Sequence, residues 1–164
     1  MTDTLTRGAA NQAGAIVNPN AAAEAQDFLD EQRTVICATN GRDGWPHLMP
    51  LWYVVRDGTL WSWTYAKSQK TRNLERDPRA SLQVEAGEQY DQLRGILLRC
   101  DVTIHRETED VAQLGLEIFA RYTGADLPDE TRAMVQAQAP KRVALEFIER
   151  SRATWDHRKL AGVY

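Results

Sequence analysis

The chain has 164 residues, 43% apolar and 26% charged, with a formal net charge of −3. That length suits one domain with its own core, and the charge balance excludes recruitment of nucleic acid by a global basic field. No stretch approaches the ~18 apolar residues of a membrane-spanning helix, and the first residues lack the apolar core of a secretory signal. A cytoplasmic protein that engages neither membrane nor nucleic acid is expected. Cys37 and Cys100 lie far apart in apolar runs, with no CxxC, and read as buried free thiols in a reducing compartment. His47, His105 and His157 are scattered, so no metal site is expected.

Residues 1–20, rich in Ala, Asn, Thr and Gly, read as a flexible tail, and residues 21–164 as one domain. Residues 21–32 carry Ala22, Ala25, Phe28 and Leu29 on one helical face. A first strand over 33–39 is followed by a turn, Asn40-Gly41-Arg42-Asp43-Gly44. A second strand is predicted over 45–55, apolar on both faces and interrupted by Pro46 and Pro50. Such a strand needs core on one side and a partner or ligand on the other. Asp57-Gly58 signals a tight hairpin into a third strand, 59–65, which sets Trp61, Trp63 and Tyr65 against Leu60, Ser62 and Thr64. The aromatic side reads either as core or as a wall for a planar ring.

The stretch 64–82, TYAKSQKTRNLERDPRASL, organises the rest. Ser68 is a predicted N-cap, and Asp77-Pro78 ends the helix it starts. Lys67 and Lys70 sit at the end of the helix that already carries partial positive charge, a costly placement unless an anion joins them. A phosphate would gain from the free amides, the dipole and both ammonium groups. The competing reading is a solvated basic face, with Arg72, Glu75 and Arg76 nearby.

A fourth strand follows over 80–86 and a long fifth over 93–105, whose length suggests a curved barrel stave. Helices are expected over 107–121, stopped by Gly124, and over 128–138, with a last strand over 143–148. Residues 150–159 are basic around a lone Trp155. Five or six strands in hairpin order with later helices predict a mainly β, α+β architecture: an antiparallel barrel, paired as a dimer that hides the exposed second strand.

The order strand, GRDGWPHLMPLWYV, hairpin, WSWTYAKSQKTRNLERDPRASL and long strand beginning RG resembles the pyridoxamine 5'-phosphate oxidase-like split β-barrel superfamily over about residues 34–122. KTRNLERDPRASL further resembles its actinobacterial flavin/deazaflavin oxidoreductases of the B type, which use coenzyme F-420. The resemblance implies an FMN-binding-like split barrel and a homodimer with two cofactor sites at the interface. It places His47, Leu48, Met49 and Pro50 beside the ring or its ribityl chain. Trp63, Thr64 and Tyr65 would line that chain's course, and Lys67, Ser68, Gln69 and Lys70 would fall at the phosphate. Trp155 would close the neighbouring subunit's site. Gln69 stands where FMN-dependent oxidases carry arginine, a bidentate phosphate partner lost here.

The activity implied is hydride transfer from reduced F-420 to a planar, conjugated small molecule. The cofactor supplies the reactivity, so no catalytic triad or carboxylate pair need be encoded. Tyr65 and His47 are candidate proton donors. An FMN-binding oxidoreductase is the alternative. A haem- or cofactor-binding protein without turnover is another, and it would need His47, His105 or His157 as axial ligand.

Overall fold

Seven strands and four helices occupy residues 21–160, which are the residues described in the computed structural model. The predicted tail, residues 1–20, lies outside the described residues. The elements are α1 (Ala21–Glu31), β1 (Val35–Asn40), β2 (Pro46–Leu51), β3 (Val54–Arg56), β4 (Thr59–Tyr65), α2 (Gln69–Arg76), β5 (Arg79–Ala86), β6 (Arg94–His105), α3 (Thr108–Thr123), α4 (Asp129–Gln138) and β7 (Arg142–Asp156). Every neighbouring pair of strands is antiparallel, in the order β2-β1-β5-β6-β7-β4-β3.

The two margins of this sheet, β2 and β3, are separated in sequence by Trp52 and Tyr53 alone. The ribbon therefore curls until its ends meet, which gives a split barrel rather than an open sheet. This corrects the expectation of one continuous strand over 45–55. The chain bends at Trp52-Tyr53 because Tyr53 turns inward: it is fully buried, and its hydroxyl donates to the Leu29 carbonyl at 2.6 Å. Beyond the bend the Asp57-Gly58 hairpin forms as expected. Both residues have positive φ, 49° and 78°, and Arg56 pairs with Thr59.

The barrel interior is filled from alternate positions: Val35 and Cys37 on β1, Leu82 and Val84 on β5, Ile96 and Leu98 on β6, Leu145 and Phe147 on β7. Phe28 and Leu29 of α1 and Leu74 of α2 complete this core. Both cysteines are free and buried. A second core lies on the outer side of β4 and β7, where α3 and α4 cover Trp63 and Ala144 with Val111, Leu114, Ile118 and Val135. Gly115 is what lets α3 approach so closely, since a Cβ there would stand 2.6 Å from the Trp63 ring.

Arg121 ties α3 to α1. Its guanidinium donates to the carbonyls of Leu29 (2.7 Å), Gln32 (2.9 Å) and Tyr53 (2.9 Å), and so satisfies the end of a helix that has no basic residue in its own last turn. Gly124 stops α3 with φ 111°. The last strand departs most from expectation. It runs fifteen residues, Arg142–Asp156, where six were predicted. Its polar second half is held by pairing with β6, not by burial, as far as Arg94↔Asp156. No helix among the described residues is long and apolar enough to cross a membrane.

Candidate functional site

The helix start singled out in the sequence is built as its residues require. Ser68 keeps an extended backbone, and its Oγ accepts from the Thr71 amide at 3.2 Å. Arg72 N to Ser68 O, also 3.2 Å, is the first full helical bond. The amides of Gln69 and Lys70 precede it and point out of the helix end. No acidic residue occupies this first turn.

The inward side of α2 presents Lys70, Thr71, Asn73 and Leu74, all buried. Thr71 Oγ1 donates to the Tyr65 carbonyl at 2.9 Å, and Asn73 Nδ2 donates to Thr39 Oγ1 at 3.1 Å, which fastens α2 to β4 and β1. Lys70 is only 4% exposed. Its ammonium donates to Thr64 Oγ1 at 3.2 Å, its one hydrogen bond among the described residues, and no carboxylate accompanies it. Burial holds its pKa below the ordinary lysine value, and the nearby Cys37 pulls weakly the other way. An ammonium with three donors and one neutral acceptor is short of compensating charge.

β2 supplies the other wall. His47 pairs with Thr39 and Met49 with Cys37, so these two side chains face the same side as the Asn73–Thr39 bond. His47 Nδ1 is buried and has no partner among the described residues. Leu48 and Pro50 face the opposite way, opposite Ala38 and Ile36, and both are exposed.

The structure thus gathers Thr64, Lys67, Ser68, Gln69 and Lys70 at one corner, with His47 and Met49 on the facing side of β1; Tyr65 contributes its carbonyl there, while its ring lies on the Trp63 face under Arg142. Lys67 and Gln69 are exposed there, and Tyr65 is half exposed. It does not bring in Trp63, which lies on the other face of β4 from Thr64, beneath α3. Nor does it bring in Trp155. That residue pairs with Gly95, and its ring closes over that glycine at the far end of β6 from the Ala80↔Cys100 pair near α2.

Two basic residues not singled out in the sequence lie next to the corner, and the Arg142 guanidinium is turned to the Trp63 face, where it donates to Gln138 Oε1 at 2.9 and 2.7 Å. Arg142 pairs with Tyr65 and lies over both the Trp63 and Tyr65 rings, at 4.2 and 4.1 Å. Lys141 accepts the Ala66 amide on its carbonyl at 3.0 Å. The only signal in the sequence was a basic pair following Pro140.

An anion fits this corner on three observations: the under-compensated Lys70 ammonium, the two first-turn amides, and the exposed Lys67 beside them. A haem ligand fits less well. His105 Nε2 is 2.8 Å from Glu146 Oε2 and His157 Nδ1 is 2.8 Å from the Tyr90 carbonyl, which leaves His47. Among the described residues, no cluster of three His, Cys, Asp or Glu is placed to hold a metal ion.

The family profile of pyridoxamine 5'-phosphate oxidase matches residues 21–155. The chain belongs to the pyridoxamine 5'-phosphate oxidase family. Among solved structures, the conserved hypothetical protein Rv2991 from Mycobacterium tuberculosis is 44% identical, with 87% of this chain and 88% of that chain covered and a TM-score of 0.79. An F-420 reductase is 21% identical over 78% of this chain and 94% of its own, with a TM-score of 0.64. HutZ, the haem storage protein of Vibrio cholerae, is 16% identical over 82% and 92%, with a TM-score of 0.62. The last two show a shared fold only. No protein of curated function matches the chain.

Proposed function

We propose that this family member is an F-420-dependent oxidoreductase, with FMN as the alternative cofactor, acting on a planar conjugated small molecule. The carrying observation is Lys70, a buried ammonium without a counter-charge at a helix start built to receive an anion. When bound, the deazaflavin supplies the hydride. The protein's own part is to hold the phosphate with Lys70, Lys67 and the amides of Gln69 and Lys70, and to seat the ring against His47 and Met49; Leu48 and Pro50, on the opposite face of β2, do not reach it within one chain. Of the two candidate proton donors, His47, with its unpartnered Nδ1, faces the corner, whereas the half-exposed Tyr65 ring lies on the Trp63 face. Gln69 in place of an arginine favours the deazaflavin over FMN.

The proposed assembly is a homodimer. Leu48, Pro50 and Ile36, with Leu97 beyond the exposed Gln83, make a largely apolar surface on the face that α3 and α4 leave bare. A second copy lying there would bring its own Trp155 toward the site that Trp155 does not reach within one chain. The proposed compartment is the cytoplasm.

The test is separate titration of the purified protein with F-420, FMN and haem, followed by absorbance and fluorescence. F-420 is expected to bind tightest, and Lys70→Met to weaken it by about 1–3 kcal/mol. Binding of haem alone, or F-420 affinity unchanged in Lys70→Met, rejects the assignment.

A further inference from the structure

A second recess lies on the outer face of the sheet, where β1, β5, β6 and β7 converge beside Pro46, with a volume of about 430 Å³. The register shows that it is not the α2 corner. Ala38, Ser81 and Arg99 pair in one row across β1, β5 and β6, and they face away from Cys37 and Thr39, whose side chains turn toward α2. The sheet itself separates the two places.

Three guanidinium groups rim this recess: Arg79, Arg99 and Arg150. Arg150 is there because β7 is bulged. Arg99 pairs with Ser151 and the next residue, Cys100, with Glu149, so Arg150 is the extra residue between them. A bulge re-aims a side chain that a regular strand would have placed by alternation. Arg150 is held by the Asp101 carboxylate at 2.5 Å, and Arg79 by both oxygens of Asp77, at 2.8 and 2.7 Å. Arg99 has no side-chain partner among the described residues. Three positive groups against two carboxylates leave one uncompensated charge, on a planar fork suited to a carboxylate. Beside it Ala38 and Pro46 give an apolar floor.

We infer that this recess binds a small organic monocarboxylate. Arg99 takes the carboxylate, Arg150 and Arg79 shape the rim, and a compact apolar body rests on Ala38 and Pro46. The volume is that of a small-molecule site. Leu48 of the face proposed for the dimer pairs with Ala38 in the recess's own row, so a second copy there would add to the wall of this recess.

The probe is benzoate, with benzamide as its uncharged isostere, titrated into the full-length protein at low salt by calorimetry and by NMR shifts. Benzoate is expected to bind saturably and benzamide at least tenfold more weakly. Arg99→Gln should weaken benzoate at least tenfold and Arg99→Lys less, since lysine keeps the charge and loses the fork. Lys70→Met should leave benzoate affinity unchanged, which separates this site from the proposed cofactor corner. Equal binding of benzamide, an unaffected Arg99→Gln protein, absence of saturable binding, or loss of benzoate binding in Lys70→Met overturns the inference.

Discussion

Lys70→Met tests the central electrostatic reasoning without any ligand. Methionine keeps the length and apolar stem of lysine and removes the ammonium. In the protein that ammonium is 4% exposed and has one neutral partner, Thr64 Oγ1. Replacing even a paired buried charge by apolar side chains is often neutral or stabilising by about 1–4 kcal/mol, and Lys70 has no opposite charge to lose. For a domain of this size that is a rise in Tm of roughly 3–12 °C. The pH dependence gives a second readout. Because burial lowers the Lys70 pKa in the folded chain, between that value and the ordinary lysine value the unfolded chain holds a proton that the folded chain has lost. Stability must therefore climb as pH rises through this window. Lys70→Met should be more stable than the natural chain near neutral pH and should lack that climb. Urea melts of the ligand-free protein across alkaline pH measure both. A variant less stable than the natural chain, or one that keeps the same slope, would refute the reasoning.

Other consequences are separable. Arg121→Ala removes the donors that satisfy the end of α1 and should cost about 2–4 kcal/mol, read as a lower urea midpoint with an unchanged m-value. Burial pushes both thiols, Cys37 and Cys100, up to about 12. Neither should react with a thiol reagent at pH 8 while the chain is folded, and both should react in urea; labelling of the folded protein contradicts the burial. Leu48→Glu places a charge in the exposed, largely apolar surface and should convert a dimer to a monomer, measured by light scattering. A monomeric natural chain would remove the interface.

Much of this architecture was legible because local chemistry and tertiary context agree at those residues. Ser68 has one good use before a helix, Asp57-Gly58 permits few turns, and Gly124 can take a φ closed to most residues. The break at Trp52-Tyr53 was not legible. Two aromatic residues continue an apolar run, and only the inward turn of Tyr53 toward α1 shows that the strand has ended. The second half of β7 was hidden for the opposite reason. Its Glu, Arg and Ser show no apolar alternation, yet β6 offers it unpaired backbone and Asp101 a partner for Arg150. At the candidate site, the run from Thr64 to Lys70 was visible because it is continuous. That Arg142 covers the Tyr65 ring together with Trp63, on the other face of β4, was not, since only the β4–β7 pairing brings it over both rings.

The two-residue joint between the sheet's margins also fixes how far the split in the barrel can open. To widen the gap, the protein would have to draw the Tyr53 ring from under α1 and break the Ser62 hydroxyl's bond to the Trp52 carbonyl. Curvature is thus enforced by covalent continuity at a single elbow, not by the summed twist of seven strands. The spacing of the two margins is therefore set by the fold itself, before any partner arrives.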